Sequence, residues 1–296
     1  EFYHCFATSE HGNIFDFVMK TQNLRFGEAV KHLANLAGMQ PYMFSKQDEE
    51  REKKWKEYAS IFSKYIDFYH EELLKNENLT IARNYLKGRS LGKDQVKKFK
   101  IGYIEKNPNF YEKLKDEFSE QTLLDTGLFY LDEKKKIYVE RFKGRLIFPI
   151  NNISSQAIAL GGRIIEKSDY LAKYINSPET NFFKKGANLY NLDFARKLSN
   201  KIDHIYLVEG YMDVVGLSKN GIENTVANLG TSLTDKQILT LNQFFDDIII
   251  CFDGDESGYK AALRAAENSI KELKPEKQIS FLFLPDGEDP DSYVNK

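Results

Sequence analysis

Acidic residues follow three apolar runs in the last third of the 296-residue chain. Each run has the length of a buried parallel strand, and carboxylates with a glycine come after it. The carboxyl ends of parallel strands share one edge of an open α/β sheet, where ligands bind. We therefore expect six carboxylates to lie close together: Glu209, Asp213, Asp253, Asp255, Asp289 and Asp291.

Carboxylates that are crowded in this way repel one another unless a cation compensates their charge. A hard divalent ion held by a few carboxylates and by substrate phosphates is the common arrangement. We predict Mg²⁺ or Mn²⁺, in two or more ions, and metal-assisted phosphoryl transfer. Asp253 and Asp255 stand two residues apart, with Gly254 between them to allow a tight turn, so both could reach one metal centre.

Each of these carboxylates could instead cap the helix that follows it. For Asp213, one helical turn after Glu209, capping and support of the metal site are equally open. The pairing of Asp253 with Asp255 favours the metal role for Asp253.

The net charge of −2 hides an asymmetry along the chain. Residues 81–201 carry 24 Lys and Arg against 14 Asp and Glu, a net charge of +10, whereas residues 204–296 carry 8 against 16, a net charge of −8. A basic surface beside an acidic metal site suits an enzyme that acts on nucleic acid.

No apolar run is long enough to cross a membrane. Two cysteines with no disulfide pattern indicate a reducing, cytoplasmic setting.

The periodicity of the chain predicts an α/β fold in two parts. Residues 58–202 combine amphipathic helices, including a stripe from Tyr58 to Tyr69, with strands that begin near Ile137. Residues 203–296 alternate strand and helix, which predicts a small doubly wound parallel sheet. Strands are expected at 204–208, 224–227, 247–252 and 278–284, and helices at 211–220, 234–244 and 256–273.

Several segments closely resemble the polymerase domain of bacterial DnaG-type DNA primases. The acidic segments, which begin at Glu209, Asp253 and Asp286, are similar to the TOPRIM domain. More specific blocks appear in the family's order: Arg141–Ile150, Gly161–Arg163, Tyr174–Thr180 and Asn228–Ser232. The resemblance implies a mixed α/β basic subdomain at 58–202 and a TOPRIM metal-binding subdomain at 203–296.

Residues 1–40 resemble the tail of the primase zinc-binding domain, and 41–57 read as a linker that enters the first long helix. The family has Cys-x-x-Cys at this point, but here Cys5 is followed three residues later by Thr8. A structural zinc site needs four ligands, so we expect no bound zinc.

The resemblance also assigns roles to particular residues. Glu209, Asp253 and Asp255 would be catalytic; Asp289 would be a further metal ligand, with Asp213 and Asp291 in support. Eight residues would line the groove for template and nucleotide: Arg89, Arg141, Lys143, Arg145, Arg163, Lys173, Tyr174 and Lys185. At least one of the basic residues at 141–145 could be purely structural, and Tyr174 could stack on a base or be a core residue.

The function implied by the resemblance is synthesis of short RNA primers on single-stranded DNA from ribonucleoside triphosphates. A replicative helicase would be a partner through a domain absent from this sequence. Two alternatives come from the same fold: another TOPRIM enzyme, such as a topoisomerase or nuclease, and a degenerate scaffold that binds nucleic acid. The sequence shows no distinctive tyrosine nucleophile for a topoisomerase, and a scaffold would not need a costly cluster of like charges.

Overall fold

The computed structural model describes residues 2–5, 7, 11–24, 26–39, 45–166, 168–230, 232–270 and 275–296. The chain forms two compact units, Glu1–Lys54 and Trp55–Lys296. Some predictions concern residues outside the described ranges: Thr8 of the zinc argument, residues 41–44 of the linker, Thr231, and residues 271–273 of a predicted helix.

The first unit contains a short hairpin and two helices. Its elements are β1 (Phe2–His4), β2 (His11–Asn13), α1 (Ile14–Gln22) and α2 (Phe26–Leu36). The strands pair antiparallel, with His4 opposite His11. Asn13 begins α1 by accepting the backbone N–H groups of Phe15 and Asp16, and the Asp16 side chain accepts the N–H of Asn13. This reciprocal capping fixes where the hairpin ends and the helix begins.

A 30-residue helix, α3 (Lys46–Lys75), contains the boundary between the two units. The predicted apolar stripe, Tyr58 to Tyr69, is buried, and the buried face of the helix continues to Leu73. Rings of the stripe contact one another: Tyr58 with Phe62, and Tyr65 with Tyr69. The aromatic side chains of this stripe therefore belong to the core and do not form a stacking surface.

Short helices and antiparallel strands follow α3. They are α4 (Thr80–Gly88), α5 (Lys93–Lys98), β3 (Gly102–Ile104), α6 (Phe110–Leu114), α7 (Glu120–Asp125), β4 (Phe129–Asp132), β5 (Ile137–Glu140), β6 (Arg145–Asn151), β7 (Ala157–Ile164), β8 (Tyr174–Asn176) and α8 (Leu192–Ala195). One antiparallel sheet has the order β3-β6-β7-β8, and β4 and β5 form a separate hairpin. Short 3₁₀ turns lie at Lys185–Ala187 and Arg196–Leu198.

The end of the chain alternates strand and helix as predicted. Its elements are β9 (His204–Val208), α9 (Tyr211–Lys219), β10 (Thr225–Ala227), α10 (Asp235–Leu241), β11 (Asp247–Phe252), α11 (Glu256–Ile270), β12 (Gln278–Phe283) and α12 (Pro290–Val294). The four strands are all parallel, in the order β10-β9-β11-β12. The α/β fold class and the doubly wound sheet are thus confirmed.

The prediction that all three acidic strands are buried was wrong for β12. Within the described sheet, β12 pairs on one side only, with β11, and its Leu282 and Phe283 are exposed. An edge strand has no neighbouring strand on its outer side, so its apolar residues can remain exposed. Apolar composition alone therefore does not predict that such a strand is buried.

One buried cluster joins the antiparallel sheet to the parallel sheet. Phe148 of β6 stacks on Tyr211 at the start of α9, with ring centroids 5.5 Å apart. Gly161 of β7 lies directly against the Tyr211 ring, where a Cβ atom would overlap it. The two sheets are therefore held in fixed register by close packing. Within the described ranges, no helix has the length and apolar character that a membrane crossing requires.

Candidate active site

The ends of β8, β9, β10, β11 and β12 surround one cleft of about 250 Å³. It combines acidic residues that follow the parallel strands with basic and aromatic residues of the basic subdomain. Its charged and aromatic lining residues are Arg89, Arg163, Lys173, Tyr174, Glu209, Tyr211, Asp213, Asp253 and Asp289. Asp255 and Asp291, predicted for the same cluster, do not line the cleft.

Glu209 and Asp253 form the centre of the acidic side. They follow β9 and β11, which are neighbours, and Glu209 Oε1 accepts the backbone N–H of Asp253 at 3.3 Å. Asp253 Oδ1 is buried without a hydrogen-bond partner. Burial raises the pKa of Asp253 to about 6, with repulsion from Glu209, Asp289 and Asp255 adding to it. Burial also raises the pKa of Glu209.

Asp213 caps the helix that follows it and also lines the cleft. Its Oδ2 accepts the backbone N–H of Gly210 at 3.0 Å, which closes the first turn of α9. It is 9% exposed, and burial together with repulsion from Asp253 and Asp289 raises its pKa to about 8. The side chain therefore stabilises the helix start while it lines the cleft.

Two other carboxylates hold helix N-termini. Asp255 Oδ1 accepts the N–H of Gly258 at 2.7 Å at the start of α11. Asp289 Oδ1 accepts the N–H of Ser292 at 2.6 Å, and Asp289 is the N-cap of α12. Asp255 is exposed beside the cleft, whereas Asp289 is half-buried and lines it.

Asp291 lies outside the cleft lining and is held by partners other than the carboxylates. Its Oδ2 lies 3.4 Å from the guanidinium of Arg89, and its Oδ1 accepts the side-chain amide of Asn295 at 2.9 Å. It packs on Gly216 of α9, where any Cβ atom would overlap its carboxylate. Asp291 therefore connects α12 to α9 and to Arg89.

Gly254 is required for a different reason from the one that we predicted. Its backbone is not in the left-handed region; instead, the carbonyl groups of Leu284 and Pro285 occupy the place of a Cβ atom. The Gly254 N–H also donates to the carbonyl of Glu288 at 2.8 Å. The glycine therefore lets the loop after β11 touch the loop after β12, which brings Asp253 and Asp289 together.

The acidic side of the cleft fits a divalent cation. An unpartnered buried oxygen on Asp253 and three carboxylates with raised pKa values are a donor set that a hard cation would neutralise. In the described part of the chain, no three Asp, Glu, His or Cys side chains already converge as a complete ligand set. Two of the predicted ligands, Asp255 and Asp289, are oriented toward helix N-termini.

Arg163 and Tyr174 form the opposite wall. Arg163 is 5% exposed, donates to the Tyr174 hydroxyl, and lies over the rings of Tyr174 and Tyr85 at 5.0 and 5.2 Å. Burial raises the pKa of Tyr174 to about 12. Lys173 is exposed at the mouth of the cleft. The wall thus combines the stacked side chains of Arg163 and Tyr174 with Lys173, whose aliphatic chain is flexible.

Four predicted groove residues are not brought to this cleft. Arg145 is 4% exposed and donates to the carbonyl of Lys173 at 3.3 Å, so it supports that residue from behind. Arg141 donates to the carbonyl of Gly127 at 2.7 Å. Lys143 is exposed outside the cleft, and Lys185 lies in a 3₁₀ turn whose carbonyl accepts Gln237.

Sequence reasoning missed three residues of the cleft: Asn176, Tyr211 and Asn228. The amide of Asn176 donates to the carbonyl of Leu229 at 2.8 Å, and its oxygen accepts the Tyr211 hydroxyl. Asn228 is 7% exposed and its Oδ1 is without a partner. Asn176 and Asn228 lie in blocks that carried the resemblance, but their neutral amides gave no chemical signal.

Three family models match the chain. Residues 68–196 match the DNA primase catalytic core, N-terminal domain; residues 203–283 match the Toprim domain; residues 1–50 match the CHC2 zinc finger. The last match agrees with our interpretation of the first segment and does not test whether zinc binds.

Curated relatives and solved structures agree with these matches. The DNA primase of Pasteurella multocida is 36% identical over the whole of this chain, which covers 51% of that protein. The DNA primase of Pseudomonas putida is 37% identical over 99% of the chain, which covers 45% of it. The chain thus spans about half the length of these relatives.

Two solved structures share the architecture. A DNA primase domain from Pseudomonas aeruginosa is 39% identical with a TM-score of 0.76, over 80% of this chain and 74% of that one. A DnaG primase catalytic domain bound to single-stranded DNA is 35% identical with a TM-score of 0.75, over 82% and 75%.

Proposed function

This chain belongs to the bacterial DnaG-type DNA primase family, and from that premise we propose that it synthesises short RNA primers on single-stranded DNA. The substrates would be ribonucleoside triphosphates and a single-stranded template. The observation that carries the proposal is the cleft, where Glu209, Asp253 and Asp289 face Arg163, Lys173 and Tyr174 across a narrow space.

A Toprim domain implies divalent-metal binding, and we propose Mg²⁺ as the ion, in two or more copies. Glu209, Asp253 and Asp255 would hold it, with Asp289 as a further ligand. The bound metal would activate the attacking 3′-oxygen and neutralise charge on the leaving pyrophosphate. Asp213 would keep the loop after β9 in place through its bond to Gly210.

The basic wall would hold the phosphates and the base. Guanidinium groups bind phosphate oxygens in a bidentate way, which suits Arg163 in the wall and the more exposed Arg89. The Tyr174 ring is already held by Arg163, so it could stack on a base with little loss of side-chain entropy. Arg141, Lys143 and Lys185 lie outside the cleft and would contact a longer template only along the surface.

The test is divalent-dependent incorporation of labelled ribonucleotides on single-stranded DNA. We expect Asp253→Asn to abolish incorporation while circular dichroism and DNA binding are retained. Asp247→Asn is the matched control, because Asp247 begins the same strand and lies at its opposite end. Full activity of Asp253→Asn would refute the metal assignment.

Companion assays with labelled DNA and with supercoiled plasmid separate the alternatives. A nuclease would shorten the labelled template, a topoisomerase would relax supercoiled plasmid, and a scaffold would bind DNA without turnover. DNA binding should weaken steeply with salt, since phosphate contacts release counterions. A cytoplasmic location and a replicative helicase as partner are proposals from family membership; a chain with two cysteines and no disulfide pattern agrees with a reducing compartment.

A further inference from the structure

An apolar groove of about 450 Å³ lies between α3, α4 and α5, apart from the acidic cleft. Its floor consists of buried aliphatic side chains and one that is half-buried: Leu73, Leu86, Leu91, Val96 and Leu74. Its lining is predominantly carbon, and the side facing solvent is open. An open aliphatic groove of this size is typical of a surface that receives apolar side chains from a partner.

The rim of the groove carries only positive charge. Arg83, Lys87 and Lys93 line it, and no acidic residue does. Within the described ranges, none of the three forms a salt bridge, whereas Lys98 and Lys100, just beyond the groove, each pair with a carboxylate. Arg83 donates to the carbonyl of Leu74 at 3.0 Å, but its Nε is buried without a partner. The three positive charges of the rim therefore have no salt-bridge partner in the described part of the chain.

We propose that this groove docks an acidic amphipathic helix or extended segment of a partner protein. Leucine-type side chains would cover the aliphatic floor, and Glu or Asp side chains would pair with Arg83, Lys87 and Lys93. Charge complementarity around an apolar centre gives such an interface its orientation and speed of association. A nucleic-acid backbone fits less well, because phosphates gain nothing from a floor of leucine and valine.

The groove is structurally continuous with the active-site wall. Lys87 is in the last turn of α4, Arg89 follows Gly88, and Ser90 lines the groove. Arg89 contacts Asp291 and lines the acidic cleft. One short turn thus separates an occupant of the groove from a residue of the nucleotide site. The proposal concerns a second surface and does not depend on the proposed primer synthesis.

The test uses a fluorescein-labelled 12-residue peptide with four leucines at helical spacing and glutamates elsewhere, measured by fluorescence anisotropy with the full 296-residue chain. We expect saturable binding that weakens about tenfold or more in Lys87→Glu/Lys93→Glu. Lys97→Glu is the control, because Lys97 is an exposed lysine of α5, the helix that carries Lys93, and lies outside the groove. Peptides with glutamine for glutamate, or serine for leucine, should each bind about tenfold more weakly.

Three results would overturn the proposal. They are no binding of the peptide, a loss of affinity in Lys97→Glu as large as in the double variant, or a glutamine peptide that binds as tightly as the glutamate peptide. Weakened single-stranded DNA binding in the double variant, without an effect on the peptide, would assign the groove to nucleic acid. Self-association that the double variant abolishes would assign it to a second copy of this chain. Unchanged thermal midpoints of the variants establish that each protein is folded.

Discussion

The buried carboxylate of Glu140 offers a quantitative test of how the basic subdomain is held together. Glu140 ends β5 and is 3% exposed. It accepts the hydroxyl groups of Tyr65 and Tyr69 at 2.9 and 2.7 Å, and the backbone N–H of Phe110 at 2.6 Å. One side chain thus connects α3, α6 and β5.

Glu140→Leu leaves three buried donors without an acceptor. Each orphaned donor costs about 1–3 kcal/mol, but the substitution also removes the penalty for burying a carboxylate. We therefore expect a net loss of about 2–4 kcal/mol in the free energy of unfolding. Adding Tyr65→Phe and Tyr69→Phe removes two of the orphans and should restore about 2 kcal/mol, although each change alone destabilises the parent protein.

The pH dependence provides a second readout. Burial raises the pKa of Glu140 in the folded state above its ordinary value of 4.5. Its contribution to stability is therefore fully present below about pH 4.5 and declines as the pH rises through the folded-state pKa. The difference between the parent protein and Glu140→Leu should accordingly be larger at pH 4.5 than at pH 8.

Urea unfolding monitored by Trp55, the one tryptophan of the chain, measures these differences. Its ring contacts Tyr58 and Phe182, so its fluorescence reports on this core. Glu133→Leu is the control, because Glu133 is exposed on the neighbouring turn and should change stability by less than about 0.5 kcal/mol. A loss below 1 kcal/mol for Glu140→Leu, or no recovery in the triple variant, would refute the reasoning.

Three further predictions concern the candidate site and the first unit. Gly254→Ala should lower the free energy of unfolding by about 1–3 kcal/mol and reduce ribonucleotide incorporation, because the added methyl group displaces the Pro285 carbonyl. Gly88→Ala is the control, because a methyl group there meets open space. Equal effects of the two substitutions would contradict this account. Gly216→Ala should break the Arg89–Asp291 contact, because the added methyl group overlaps the Asp291 carboxylate. Kinetics and thermal unfolding should show a larger loss of activity than of stability. Adding Asp291→Ala should remove the overlap without restoring the contact to Arg89. Elemental analysis of the purified chain should find no stoichiometric zinc, because Cys5 lacks the second cysteine of the family pattern; one zinc per chain would disprove this expectation.

The parallel sheet was predictable because its signals are local. The alternation of apolar strands with amphipathic helices is contained in short windows, and the predicted strand at 247–252 coincides with β11. Parallel order then placed Glu209 and Asp253 side by side without knowledge of any contact. The predicted helix at 234–244 was too long, since α10 ends at Leu241, where a terminal turn leaves the helical pattern.

Long-range contacts account for what was missed. The three-residue strands β3 and β8 acquire their structure from pairing with β6 and β7, which no local pattern reveals. Burial of Arg145 and the orientation of Asp291 likewise depend on partners far along the chain. A basic residue has the same appearance in the sequence whether it binds a phosphate or a backbone carbonyl.

The packing of Phe148 on Tyr211 has a consequence for how this protein would unfold. Because one buried cluster includes residues of both subdomains, the two should lose structure in a single cooperative transition. The cleft then lies within one folding unit and is not a hinge between two independently folding units. Its opposing charges are consequently held apart at a fixed spacing, so a substrate would bind to walls already positioned during folding.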